Sequence, residues 1–366
     1  MMNFVDIDIW QLKEKTKKKK IVFFGAGKAL HRFITFYSQL QCEYNVNYVV
    51  DNDSKKDGTA TTINGLTLNI ISFPKFLNTQ DENFIFVITV ADFFSIVEQL
   101  NSYKQFDNIE YCIYSFMISK TKENREKERF YPDNLRLYKE EKIPKVIHYC
   151  WFGDKEIPEK NKEWMSSWKK KCPEFEIIEW NESNYDIKKN KFMYEAYKAK
   201  KWGFVPDFAR LDIIYNYGGI YLDTDIEIIK NLEDLLYQDA FAGVDNTWYI
   251  SLGLGFGARQ YHPIIKDLLD LYENQDFDKE NMVAAPTMMI PFFEKYGFKA
   301  NGEYQNIGNM TIYPEKILSG KNNLTGVIMP TDKTFSIHHY DGSWCKQESL
   351  DMQKKKHQFY QNAIQI

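Results

Sequence analysis

The chain of 366 residues contains no apolar run approaching the roughly 18 residues that a membrane-spanning helix requires. Nor is there an excess of one charge: 47 Lys and Arg stand against 51 Asp and Glu, a net charge of −4. Without a basic face, nucleic acid is not expected as a main partner. The lysine run at 17–20 is short and precedes an apolar stretch, so it reads as the solvated end of a helix. Cysteine is scarce. Cys42, Cys112, Cys150, Cys172 and Cys345 are scattered and odd in number, with neither disulfide-framework nor zinc-ligand spacing. That usage suits a reduced, cytoplasmic protein. The opening MMNFVDIDIWQLKEK carries acids early and has no small-residue cleavage site, so it is not expected to be a secretory leader. Internal repeats and low-complexity tracts are also missing.

Aromatics, by contrast, are abundant at 16%, with 24 Tyr and 27 Phe. Most such residues fill cores, and some suit a site that stacks on flat ligands. The length favours two domains. From residue 20 to about 120, apolar runs such as IVFFGAG, VNYVVDND, NFIFVITV and IEYCIYSF alternate with helically spaced segments such as ALHRFITFYSQL and ADFFSIVEQLNSY. Short apolar strands separated by helices predict a parallel, doubly wound α/β sheet. Residues 1–120 are therefore expected to form a small Rossmann-like α/β domain. The highly charged stretch 121–143 is expected to be a helical linker, and PKVIHYCWFG opens a second α/β domain over 144–366.

In GAGKAL, Gly25 and Gly27 follow a strand and open a helix, the setting in which glycines let a phosphate approach a helix N-terminus. Asp51 closes the next strand, where a ribose-binding acid would stand. The third glycine is replaced by Leu30, so the fingerprint is incomplete. A tight turn that needs Gly25 and Gly27 for backbone reasons alone accounts for it better than a bound cofactor does.

The second half is dominated by VPDFARLDIIYNYGGIYLDTDIEII. Pro206 suits a helix start and Gly218–Gly219 its end. On that helix Asp207 and Arg210 are three apart and share a face. The run after the glycines is apolar until Asp223 and Asp225. Side chains two apart on a strand point the same way, so the two acids are expected to project together from a strand end. A buried pair of carboxylates is costly unless it is paired or holds a cation, and two oxygens aimed at one point suit Mg2+ or Mn2+. A calcium loop of the EF-hand kind is excluded, because Ile228 occupies the position that needs glycine. SLGLGFGARQYHP contains a G-x-G-x-G but no following Lys-Ser or Lys-Thr, so it is not a phosphate loop.

PDFARLDIIYNYGGIYLDTDIE resembles the DXD-motif glycosyltransferases of the capsular-polysaccharide and α-mannosyltransferase type, glycosyltransferase family thirty-two. It is also similar to the sugar-transferring domain of the large clostridial toxins. IPKVIHYCWFG, CPEFEIIEWNESN and FSIHHYDGSWCK look like the family's first strand, second strand and C-terminal His and Ser-Trp segment. The first domain lies outside that resemblance. It is similar to small Rossmann-like domains attached to bacterial sugar-modifying enzymes, through GAGKAL and VVDNDSKKDG...INGL.

The family resemblance implies a GT-A fold, a nucleoside-diphosphate sugar such as a UDP-hexose as donor, and Mn2+ or Mg2+ as cofactor. By motif position, Asp225 is the expected direct metal ligand, and Asp223 contacts the ribose or a metal-bound water. Asp207 and Arg210 grip sugar hydroxyls and the phosphate side. Trp151 stacks on a uracil-type base. His338, rather than His339, supplies a third metal ligand. Ser343 and Trp344 close over the diphosphate, with Gly342 as hinge. SLGLGFGARQYHP and AAPTMMIPFF line the acceptor side, where Ala285 departs from the family's glycine. Retention of configuration is the family expectation, with Asp245 a candidate nucleophile or acceptor-binding acid. The expected acceptor is a glycan or lipid-linked oligosaccharide in bacterial surface polysaccharide synthesis, placing the protein in the cytoplasm or at the inner membrane face. Two rivals remain open from the residues: an NAD(P)-dependent sugar-nucleotide oxidoreductase or epimerase using GAGKAL, and a non-catalytic scaffold for polysaccharide assembly.

Overall fold

The computed structural model describes residues 1–39, 45–79, 83–127, 132, 134–342, 345 and 347–364. The chain divides into two compact units, Met1–Glu128 with Tyr360–Ile366, and Arg129–Phe359. Both are mixed α/β, the class that the alternating apolar runs predict. No helix among the described residues is long and apolar enough to cross a membrane. The described cysteines, Cys112, Cys150, Cys172 and Cys345, are free thiols.

The first unit is built on a sheet ordered Asn3–Phe4, Glu110–Ile113, Phe84–Ile88, Lys20–Phe24, Val46–Asp51, Leu66–Ser72, Ala60–Ile63. All pairs are parallel except the last, a hairpin. Phe84–Ile88 is buried at every position, as a strand covered on both faces must be. The hairpin turn uses Asn64 (φ 49°) and Gly65 (φ 80°), the positive-φ pair such a turn demands. After Lys20–Phe24, Gly25 has φ 110°, and a Cβ there would lie 2.4 Å from Val90 Cγ1. Backbone shape and close packing thus require that glycine. The Asp51 carboxylate accepts from the Ala26 amide and the Lys56 ammonium, each at 2.8 Å. Burial works against its charge, yet Lys56 and the Asp53 and Ala26 amides hold its carboxyl below the ordinary range.

The second unit has the strand order Gln305–Ile307, Met310–Tyr313, Ala240–Gly243, Phe256–Ala258, Gly219–Tyr221, Val146–Cys150, Glu176–Trp180. Gly219–Tyr221, Val146–Cys150 and Glu176–Trp180 run parallel, while Phe256–Ala258 is antiparallel to both its neighbours. Alternation along the strands feeds two cores. Ile147, Tyr149 and Ile220 join one with Trp168 of the helix Glu159–Lys171; Cys150 and Tyr221 join the other with Phe208 and Leu211 of the helix Pro206–Tyr217. A separate two-stranded sheet pairs Ile226–Ile228 with Ser336–His338.

Among the described residues, the charged stretch expected to be a helical linker is helical only within Tyr114–Lys127. Further on it is strapped to the second unit: the Leu137 and Tyr138 amides donate to the Tyr237 carbonyl, and those of Lys142 and Ile143 to Leu236. Arg136 adds an ion pair to Asp234 at 2.8 Å and covers the Tyr237 ring. Backbone bonding to a neighbouring chain segment replaces the helix ladder there.

Candidate active site

The glycine pair that ends the helix Pro206–Tyr217 explains how the acids reach their place. Gly218 and Gly219 have φ of 67° and 102°. A Cβ on Gly219 would meet the Val146 carbonyl oxygen at 2.8 Å and His148 Nε2 at 2.9 Å. Only glycine lets the helix hand directly into a strand lying against Val146–Cys150. Below that junction, Trp180 Nε1 donates to His148 Nδ1 at 3.1 Å, so His148 Nε2 carries the proton given to the Gly218 carbonyl at 2.9 Å. Burial holds the His148 imidazole down at about 4, hence neutral.

The strand stops at Tyr221, and the acids do not stand on it. The Ile226 amide donates to the Asp223 carbonyl at 3.1 Å, closing a turn over 223–226. The expectation of an extended segment is therefore corrected: Asp223 and Asp225 converge because the chain bends, not because of strand alternation. The next strand, Ile226–Ile228, pairs with Ser336–His338 in a register that sets Ile226 opposite His338. It is held from the other face by Trp168 Nε1, which donates to the Ile226 carbonyl at 2.8 Å. This register delivers His338 to the acids.

Asp223, Asp225 and His338 each offer a ligand atom, and these atoms lie within 4.8 Å of one another. His338 Nε2 is 3.2 Å from Asp225 Oδ1, and the Asp341 amide donates to Asp225 Oδ2 at 2.9 Å. Burial disfavours the Asp225 charge, but His338 and the Asp341 amide overcome it and hold the carboxyl at about 2. Burial likewise opposes charge on His338, while Asp225 draws its imidazole upward. His338 Nδ1 is buried with no hydrogen-bond partner among the described residues. His339 points elsewhere, bonded to Glu227 Oε2 at 2.9 Å and stacked on Trp164 at 4.0 Å.

Arg210 lies between the acids of the helix and those of the turn. Its Nη2 donates to Asp207 Oδ1 at 2.7 Å and its Nη1 is 3.6 Å from Asp223 Oδ1. Asp207 and Arg210 are both buried. Burial pushes the Asp207 carboxyl up to about 7, Arg210 pulls it down, and the Asp223 charge adds to the rise. Asp223 is raised too, first by burial and then by Asp225, against the pull of Arg210.

These groups open on a cavity of about 530 Å³ in the second unit. Trp151, Asp207, Arg210, Asp223, Asp225 and His338 all line it. The Trp151 indole donates to the Lys155 carbonyl at 2.6 Å, which fixes the ring at the cavity wall. Asp245 and Ala285 are also on the wall, as is Gly342 at φ 61°. Ser343 and Trp344 lie outside the described residues. The G-x-G-x-G segment stands beside the acids: a Cβ on Gly253 would come within 2.6 Å of Asp223 Oδ2. Two wall residues escaped sequence reasoning, Gly253 in this role and Asn161. The repeated glycines marked the first; Asn161, in a lysine-rich helix, carried no signal.

Residues 158–242 match the family model described as a glycosyltransferase sugar-binding region containing a DXD motif. The chain carries a DXD-motif glycosyltransferase domain. Inositol phosphoceramide mannosyltransferase 1 of Schizosaccharomyces pombe is 30% identical over 183 residues, 43% of this chain and 52% of that protein. A second relative, an uncharacterized glycosyltransferase of Acanthamoeba polyphaga mimivirus, is 32% identical over 133 residues, 33% of this chain and 52% of its own length. The chain thus spans about half the length of these two relatives. Among solved structures, PaToxG glycosyltransferase aligns with a TM-score of 0.32 at 20% identity, covering 43% of this chain and 68% of that one.

Proposed function

We propose that the second unit is a metal-dependent glycosyltransferase that moves a hexose from a nucleoside-diphosphate sugar, a UDP-sugar first, to a glycan or lipid-linked acceptor. The observation that carries this reading is the meeting of Asp223, Asp225 and His338 on the wall of a cavity that also holds Trp151, Asp207 and Arg210. Two carboxylates and an imidazole suit Mn2+ or Mg2+, and the orphaned His338 Nδ1 leaves the imidazole with unused capacity. A cation there would supply charge neutralisation for the departing diphosphate.

The remaining roles belong to the chain itself. Asp225 and His338 would hold the cation, and the Asp341 amide orients Asp225. Arg210 fixes the Asp207 carboxylate, which accepts from donor-sugar hydroxyls, and sets Asp223 beside the ribose and metal shell. Trp151 stacks on the base. The cavity wall limits access of water to the donor. Transfer with retention, surface-glycan assembly and a cytoplasmic setting at the inner membrane face belong to the same proposal. The similarity to an inositol phosphoceramide mannosyltransferase of Schizosaccharomyces pombe supports an acceptor of the lipid class.

Incubation with Mn2+ and a panel of UDP- and GDP-sugars should release nucleotide with at least one donor. Folded protein that neither binds nor cleaves any donor would sink the proposal.

A further inference from the structure

Asn161 sits in the first turn of the helix Glu159–Lys171, is 3% exposed, and lines the cavity. Its Nδ2 donates to the Thr224 hydroxyl, the middle residue of the D-x-D turn, at 3.3 Å. Its Oδ1 is buried with no partner among the described residues. A buried amide oxygen left without a donor is destabilising, so such atoms are usually satisfied. Turning the amide over exchanges the two atoms and leaves the nitrogen orphaned instead. The Thr224 hydroxyl accounts for one end of the amide, and no protein group among the described residues accounts for the other.

We propose that Asn161 is a donor-binding residue whose Oδ1 accepts a hydrogen bond from an O–H group of the bound metal–nucleotide complex. The inference rests on the transferase reading and adds a recognition contact to it. A phosphate oxygen cannot fill the role, because it only accepts. A hydroxyl both donates and accepts, so it satisfies the amide in either orientation. The same wall carries Trp151, placed for the base, and Asp223 and Asp225, placed for the cation. The O–H groups of a nucleoside diphosphate lying along it are those of the ribose, with metal-bound water as the second source. Asn161 touches the ligand, and its link to Thr224 keeps the amide aimed.

The test compares wild type, Asn161→Leu and Thr224→Val. UDP and its 2′-deoxy and 3′-deoxy analogues are titrated calorimetrically in Mn2+, and Mn2+ alone is followed by its EPR signal. Asn161→Leu should weaken UDP binding about tenfold, the loss of one good hydrogen bond. The apo melting temperature should be unchanged or raised, because the orphan is gone. If the partner is a ribose hydroxyl, Mn2+ affinity is kept and one deoxy analogue binds wild type and variant equally. If it is metal-bound water, Mn2+ alone is weakened by the same factor and all three nucleotides fall together. Either pattern supports the contact. UDP and Mn2+ affinities within twofold of wild type in Asn161→Leu would overturn it. An equal loss in Thr224→Val would overturn it as well, since Asn161 would then act only through the turn. Wild-type protein that binds no nucleotide would refute the transferase reading itself, a result separable from failure of the variant alone.

Discussion

Replacing Gly253 by alanine places a single methyl group against the metal-site acids. Gly253 lies in the short helix Leu252–Leu254 and has no positive φ, so alanine fits its backbone. The added Cβ would stand 2.6 Å from Asp223 Oδ2 and 3.8 Å from Arg210 Nη1. Carbon and oxygen approach to about 3.3 Å without strain, so the carboxylate must retreat by about 0.7 Å. It can do so, because the obstructed atom is a side-chain end rather than backbone. The fold should therefore survive, with stability changed by less than about 1 kcal/mol, since Gly→Ala also restricts the unfolded chain. Metal ligands tolerate errors of only about 0.2 Å, and displaced outer-shell partners cost about 10–100-fold in metal affinity. A misplacement near 1 Å costs about 100-fold in rate. Gly253→Ala should thus weaken Mn2+ binding at least tenfold and transfer about 100-fold, with a melting temperature within about 4 °C of wild type. Mn2+ EPR titration, a nucleotide-release assay and thermal melting read the three quantities. Gly27→Ala is a suitable control, since nothing lies within 4 Å of its new Cβ. A Gly253→Ala protein with wild-type Mn2+ affinity and rate would refute the placement of Asp223 in the site.

Asp225→Asn keeps the shape but removes the charge that faces His338 at 3.2 Å. It should abolish measurable Mn2+ binding by calorimetry and lower transfer by about 100–1000-fold, with an unchanged circular dichroism spectrum. Arg210→Ala leaves Asp207 and Asp223 without their shared cation, and both Arg210 and Asp207 are buried. Stripping one partner from such a group should cost about 3–5 kcal/mol in urea unfolding; a loss below about 1 kcal/mol would contradict the ion-pair assignment. His148 is held neutral by burial at about 4, below the ordinary 6.5. Below pH 6.5 the unfolded chain takes up a proton that the folded one refuses, so stability falls as pH drops from 6.5 toward 4. At pH 5 this amounts to about 2 kcal/mol. His262, lowered to about 4 by burial and by Arg259, acts in the same direction. The raised Asp207 carboxyl acts in the opposite sense on acidification, so the slope is read as the difference in urea midpoint between wild type and His148→Gln at pH 7 and pH 5. A wild-type midpoint that does not fall relative to the variant's on acidification would contradict it.

The strands of both sheets were readable where apolar runs were long. IVFFGAG and NFIFVITV became Lys20–Phe24 and Phe84–Ile88, and PKVIHYCWFG became Val146–Cys150. Less legible were the short elements. Asn3–Phe4 is a two-residue strand with no pattern of its own, and Ala60–Ile63 pairs with Leu66–Ser72 through an Asn-Gly turn whose signal was present but unused. Asp207 and Arg210 meet because helical spacing alone settles it. The reason given for Asp223 and Asp225 failed, since alternation describes an extended chain and cannot foresee a turn closed by one backbone hydrogen bond. Asn161 was invisible, because its burial depends on a helix packing over a strand far along the chain. No local pattern encodes that.

The glycines carry the more general lesson about reading such a site. Gly25, Gly219 and Gly253 all stand in or beside motifs singled out in the sequence. In every case the space that a Cβ would need is already filled by the protein: Val90 at Gly25, His148 and Val146 at Gly219, Asp223 at Gly253. A cradle for a ligand leaves that space open, as it is around Gly27. A glycine whose missing side chain is replaced by a neighbour's atom marks close packing of backbone on structure. When that neighbour is a carboxylate of the metal site, as at Gly253, the glycine is still functional, because it sets where the acid stands rather than what the ligand touches. The glycine-rich segment and the D-x-D turn are therefore one device, and a substitution in the first should be felt in the second.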